Sequence, residues 1–134
     1  MIPSFLSLPI LLAASMTQTD AGSAGFPGPD TTWQLAEIDG TPYEHRATLA
    51  FPEPGRVAGQ AACNSFAGGI EGGPASFSLG QMAMTRMACP DLEAEQAYID
   101  ALMSMTSAEI GEDRLILTDG EGQRLVFMPA DAAG

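Results

Sequence analysis

One stretch of the chain, Asp91 to Met105, carries the 3.6-residue periodicity of an amphipathic helix, whereas the other apolar runs from Trp33 onward are short, alternating and bounded by turn formers. That single helix among strands constrains the fold more than any other feature. Ala94, Tyr98, Ala101, Leu102 and Met105 make its apolar stripe, suited to packing on a sheet. Pro90 or Asp91 opens it, and acidic residues fill the first turn, where the helix dipole favours them. Glu93, Gln96 and Asp100 point mainly to water, so their carboxylates read as a solvated face and not as an acid–base pair.

The strands follow from alternation and turn chemistry. Trp33-Gln34-Leu35 runs into the Asp39-Gly40 turn signal. Ala47 to Phe51 and Arg56 to Ala61, separated by Pro52, Pro54 and Gly55, form a hairpin. Gly68-Gly69, Gly72-Gly73 and Pro74 mark a loop, and a strand follows over Ala75 to Leu79. In an extended Met82 to Ala88 segment, Met82, Met84 and Arg86 fall on one face and Ala83, Thr85 and Met87 on the other. Methionine filling core gaps explains this better than metal binding. Arg114 to Thr118 and Gln123 to Phe127 flank Asp119-Gly120-Glu121-Gly122, a second hairpin. Leu115 to Leu117 and Leu125 to Phe127 are apolar on both faces, which implies a sheet covered on one side by the helix and curling on itself.

The 134 residues allow one ordinary domain, and 46% apolar content is enough to build a core, so neither a two-domain enzyme nor a disordered chain is expected. Seventeen acidic against five basic residues give a formal charge of -12, which repels phosphate backbones and anionic lipid surfaces. The basic residues are all arginines, Arg46, Arg56, Arg86, Arg114 and Arg124, spread singly, so no basic patch supports nucleic-acid binding.

Phe5 to Ala14 is an apolar run of signal-peptide length, too short for a membrane span of about 20 residues. Residues 1–15 are read as a secretory leader despite an n-region without Lys or Arg, with cleavage before Met16 or near the second small-residue cluster, Ala21 to Ala24. Leu12-Ala13-Ala14-Ser15 also has the form of a lipoprotein box with serine where the lipid-bearing cysteine should stand, so no stable membrane anchor is expected. Residues 16–30, rich in Thr, Gly, Ser, Ala and Pro, read as a flexible linker and leave 31–129 for the folded domain.

Two cysteines, Cys63 and Cys89, make an even count in a chain with a leader and favour one disulfide. Closing that loop is worth about 3.5 kcal/mol in the chain-entropy picture. The alternatives are a reduced buried pair, or a metal site recruiting His45, for which the CxxC or HxxxH spacing of zinc ligands is missing. No segment specifies an active site. A thiol nucleophile would need Cys63 or Cys89 beside His45, which lies between Glu44 and Arg46 in a loop, where a surface histidine is the usual outcome. Gly55-Arg-Val-Ala-Gly59-Gln lacks the GK[ST] ending and following helix of a phosphate loop, and seventeen acids make some carboxylate pair inevitable and none special. The chain is expected to have no catalytic activity, metal or cofactor.

The most distinctive segment is Gly59-Gln-Ala-Ala-Cys63-Asn64-Ser-Phe66-Ala-Gly68. Gly59 and Asn64 can take left-handed or bulged backbone, Cys63 can staple it, and Phe66 points into the core. Its companions are Trp33-Gln-Leu35, Met84-Thr85-Arg86-Met87-Ala88-Cys89, Glu95-Gln-Ala-Tyr98 to Leu102, and the terminal hairpin closing on Leu125-Val-Phe127. In order and spacing from Trp33 to Phe127, the set resembles the META domain, or HslJ-like, family. That resemblance implies a small α+β fold, a curved antiparallel β-sheet (a partial barrel) packed with one α-helix. It also implies a bacterial envelope protein, often a lipoprotein, linked to stress responses and secretion, with no established catalytic activity. Ser15 departs from the anchored members, and Ala62 stands where the family usually has Gly.

The expected function is a non-enzymatic periplasmic or secreted interaction module whose partner is an unknown envelope protein. The alternative is a carrier of a small apolar ligand or lipid, with the Met-rich segment and the helix bounding an apolar cavity. Cys63 and Cys89 are expected as a bridge, Asn64 and Gly68 as turn formers, and Trp33, Gly59 and Phe66 as structural positions. Thr85 and Arg86 are expected as an exposed polar pair, the alternative being that Arg86 lies along the sheet toward an acidic neighbour.

Overall fold

The computed structural model describes residues 25–130; the leader expected at 1–15 and most of the expected linker lie outside the described residues. Strand β1 (Thr32–Ile38) buries Trp33 and Leu35 while Gln34 and Ala36 stay half-buried, the period of two that the sequence carries. It turns at Asp39 and Gly40, both at positive φ (53° and 83°), into the short β2 (Thr41–Pro42). Asp followed by Gly tolerates this mirror-image turn, whose twist matches that of the strands. Strands β3 (Thr48–Ala50) and β4 (Arg56–Gln60) pair as the expected hairpin. Then come β5 (Ser65–Gly73), β6 (Ser76–Met84), α1 (Leu92–Met103), β7 (Ser107–Ile110), β8 (Leu115–Thr118) and β9 (Arg124–Pro129).

The pairings are antiparallel, and the strands lie in the order β6-β5-β4-β3-β1-β9-β8-β7, with β2 attached to β1. The sheet curls into a half-barrel and α1 packs in its hollow, an α+β architecture. Tyr98 shows how the helix is seated. Its ring meets Phe66 of β5 and Phe127 of β9 edge-on at 5.9 and 6.2 Å, and its hydroxyl donates to the Thr48 carbonyl of β3 at 2.9 Å. Leu35, Leu49, Val57, Leu102, Leu115 and Leu125 are fully buried in the same core cluster, and the void among Leu49, Val57, Leu102 and their neighbours is only ≈ 10 Å³. The two edges of the curl meet over a short seam, where Phe77 N–H donates to Thr106 O (2.8 Å) and Ala108 N–H to Pro74 O (2.7 Å). Past that seam, the outer side of β6 has no strand neighbour among the described residues.

The glycine-rich stretch differs from the sequence expectation. Gly68 and Gly69 sit inside β5, which stays in the ladder to Gly73 and turns at Pro74 and Ala75. Gly68 is there for packing, because a Cβ would press on Met82 Sδ at 2.7 Å; it is not a turn former. Gly59 and Asn64 do not take left-handed backbone either, since among the described residues Asp39 is the non-glycine residue with positive φ. Gly59 permits close approach: a Cβ would run into the Thr48 carbonyl and lie 2.9 Å from Phe66 Cζ. The last residues of the expected linker are also packed, Phe26 stacking on Phe51 at 5.5 Å and meeting Phe77 edge-on at 5.7 Å. An aromatic ring in a Pro- and Gly-rich segment gains from filling an apolar slot. Strand β7 is a further element that the sequence reading did not anticipate.

Gly59→Ala is expected to lower the unfolding free energy by about 1–3 kcal/mol, the overpacking cost of forcing β3 and Phe66 aside. Urea denaturation at pH 7 measures it, and a change within about 0.5 kcal/mol, the range of an ordinary surface substitution, would contradict the close-approach argument.

Candidate functional site

The turn between β4 and β5 and the chain leaving β6 converge on the first turns of α1. Ala61 N–H donates to Asn64 O at 2.7 Å, closing a turn that presents the Cys63 and Asn64 N–H groups in succession. Both donate to Glu95 Oε1, at 2.9 and 2.7 Å, and Asn64 Nδ2 donates to Glu95 Oε2 at 2.8 Å. Consecutive N–H groups aimed at one carboxylate oxygen form an anion-binding concavity.

Asn64 is the hub of this cluster. Its Nδ2 also donates to Met87 O (3.3 Å), while its Oδ1 accepts from Met87 N–H (2.6 Å) and from the Thr85 hydroxyl (2.9 Å). All four hydrogen-bonding positions of the amide are therefore filled, as a side chain only 5% exposed requires. Thr85 Oγ1 accepts in turn from Ser65 N–H at 3.0 Å. The Cys63–Cys89 disulfide, with Cα atoms 6.3 Å apart, ties the same two segments covalently, and Asp91 N–H donates to Cys89 Sγ at 3.3 Å.

Glu95 is 7% exposed and has no ion-pair partner among the described residues. Burial pushes its carboxyl up, but the hydrogen bonds from the Asn64 side chain and from the Cys63 and Asn64 backbone outweigh burial and hold it below the usual glutamate value. Next to it, Tyr43 donates its hydroxyl to Ala94 O at 2.6 Å. Burial, with the charges of Glu95 and Asp91 adding to it, pushes this phenol up to about 12, so it stays a donor. The arrangement can clamp three segments together. Its carboxylate oxygens are engaged, and among the described residues no three His, Cys, Asp or Glu side chains gather as a metal set. His45 is exposed, its Nδ1 3.7 Å from Asp91 Oδ1, and the bridged cysteines leave it no thiol to activate.

Beside the clamp lies an open groove of ≈ 480 Å³ between the Met82–Ala88 segment and α1. Met82, Met84, Met87, Leu92 and Ile99 supply its apolar lining, with Arg86 and Gln96 as polar members. Met87 is 59% exposed, because its backbone and not its side chain is what Asn64 holds. Arg86 is exposed as expected, but among the described residues it reaches no acidic neighbour. Thr85 is exposed as expected too, and its hydroxyl is in addition bonded within the clamp. Trp33 and Phe66 lie in the core, away from this groove's lining, and the Trp33 indole N–H is buried without a partner among the described residues.

Glu95 is the functional residue that sequence reasoning missed. A signal was available: Glu95, Tyr98, Ile99 and Leu102 stand at i, i+3, i+4 and i+7, so the acid shares the buried face.

The META domain family model matches residues 27–132. The chain belongs to the META domain family. Similar solved structures include an NMR structure of a protein from Burkholderia xenovorans, 25% identical, with a TM-score of 0.59 over 75% of this META domain chain and 81% of the other. A second NMR structure is 22% identical (TM-score 0.59, 79% of this chain and 94% of that one). The crystal structure of a DUF4847 family protein from Bacteroides vulgatus shares the fold at 13% identity (TM-score 0.59, 75% and 92% coverage). No curated protein matches the chain.

Glu95→Gln puts an N–H where an acceptor is needed and is expected to cost about 1–3 kcal/mol at pH 7. Because the folded carboxyl is held below its unfolded value, its contribution is complete above about pH 4.3 and is lost as pH falls through the folded value. Urea denaturation across pH 7 to 3 should therefore show a gap between wild type and Glu95→Gln that narrows in acid; a constant gap contradicts the assignment. Reducing the Cys63–Cys89 bridge, which spans a sequence separation of 26, should lower stability by about 3.5 kcal/mol. Denaturation with and without a phosphine reductant reads this directly, and an unchanged midpoint would count against it.

Proposed function

We propose that this META domain is a non-enzymatic binding module, periplasmic or secreted, that engages an envelope protein through the groove between Met82–Ala88 and α1. The observation that carries this reading is the apolar lining of the ≈ 480 Å³ surface groove, since the void at the core is only ≈ 10 Å³ and the larger cleft of ≈ 710 Å³ between the Asp39–Gly40 and Asp119–Gly122 turns is lined by polar residues and glycine. A surface of that kind suits recognition. Beside the groove, the Glu95 oxygens are hydrogen-bonded and the cysteines bridged, which leaves neither as a free nucleophile or base. A disulfide in a small domain favours an oxidising compartment, and the family resemblance supports a link to stress or secretion. A second reading, a carrier of a small apolar ligand, draws support from the Met, Leu and Ile lining, with the ligand lying in a groove and not in an enclosed cavity.

The test uses the protein in its native host. Intact mass with thiol alkylation before and after reduction should show blocked thiols in an extracytoplasmic fraction. A photocrosslinker replacing Met87 should give a discrete protein adduct that one replacing Arg114 does not. Free thiols in the cytoplasm, or equal crosslinking from both positions, would overturn the reading.

A further inference from the structure

The edge of β6 beyond the seam is open, and its hydrogen-bonding phase can be read from the ladder. Thr85 N–H donates to Ser65 O at 3.1 Å, and the Ala67–Ala83 pair keeps that phase. The intervening pairs, Phe66–Met84 and Gly68–Met82, are then the non-hydrogen-bonded ones. The backbone N–H and C=O groups of Met82 and Met84 therefore point away from β5 along an edge that pairs with no strand among the described residues. Leu92, Gln96 and Ile99 of α1 face this edge across the groove.

An exposed strand edge running beside a helix is the geometry in which an extended peptide adds a strand, its backbone pairing with the edge and its alternate side chains entering the groove. Methionine side chains adapt to apolar groups of varied shape, which suits such a wall. Charge narrows the partner further. Within the groove the Glu95 carboxylate is met by three N–H donors, and Arg86 stands exposed without an ion-pair partner among the described residues. With Glu95 buried and its oxygens taken, Arg86 is the one exposed charge in the groove's lining, on a chain of net charge -12. A generally acidic peptide is repelled by that net charge, and a second copy of this chain, itself at -12, is repelled more strongly.

We propose that the open edge of β6 and the facing side of α1 receive an extended peptide strand whose apolar side chains enter the groove and whose single carboxylate pairs with Arg86. This rests on the groove being the recognition surface and names the partner's chemistry there. The strand is otherwise uncharged or basic, and its carboxylate is a C-terminus or one acidic side chain.

The experiment probes the full oxidised chain against an array of short random peptides with free C-termini and a matched amidated array. Bound peptides should show apolar residues at alternate positions and a carboxylate. Affinity should fall about tenfold in Arg86→Gln, the loss of one charge-assisted contact. It should fall in Met84→Pro as well, which removes an outward N–H without breaking a bond to β5, and stay at the wild-type value in Arg114→Gln. Groove binding that survives both Arg86→Gln and Met84→Pro overturns strand addition while leaving the groove as the binding surface. No bound peptide at all overturns both. Concentration-dependent dimers abolished by Met84→Pro would show that the edge serves a second copy instead, and would overturn the proposal.

Discussion

A carboxylate taken out of water without a counter-cation has to be answered by hydrogen-bond donors, and that requirement at Glu95 governs how this domain is assembled. Left unanswered, the buried charge would cost several kcal/mol, a large part of the stability of a domain this size. The donors are the N–H groups of Cys63 and Asn64 and the amide of Asn64, so α1 can dock only at the rotation and height that bring Glu95 to them. That placement carries the rest of the helix with it. Tyr98 and Leu102 lie on the same face, about one and two turns further on, and fall into the hollow of the half-barrel, where Tyr98 finds the Thr48 carbonyl.

The clamp also sets the groove. The chain leaving β6 belongs to no regular element from Thr85 to Asp91, yet it is held at Thr85 and Met87 by Asn64 and at Cys89 by the disulfide. A segment fixed at every second residue gives a firm wall while the Arg86 and Met87 side chains stay exposed. The groove is thus a by-product of the way the helix is anchored, and its position against α1 follows from Glu95.

Local chemistry made much of the fold legible. The helix, the β3–β4 and β8–β9 hairpins and the Asp39–Gly40 turn each depend on residues close in sequence, whose spacing and turn preferences speak directly. The site was legible only in outline. Asn64, Thr85 and Cys63 stood in the distinctive segments, but Glu95 reads as one more first-turn acid until its donors, 31 residues away for Asn64, are brought to it. Gly68 and Gly69 misled for the same reason. Their composition speaks of a loop, and what keeps them in a strand is pairing with β4 and β6 on either side, where Met82 leaves no room for a Cβ at Gly68. Thr85 is exposed, as its sequence context suggests, but nothing local reveals that its hydroxyl is also bonded to Asn64 Oδ1 at 2.9 Å.

Most of what Asn64 and Glu95 grip is main chain: the amides of Cys63, Asn64 and Met87, and the Met87 carbonyl. A lock that reads backbone is indifferent to the side chains hung on it. Positions 86 and 87, which face the groove, can therefore be rewritten during divergence with little penalty to folding, whereas Asn64 and Glu95 cannot. A domain wired in this way can keep one architecture while its recognition surface drifts toward new partners.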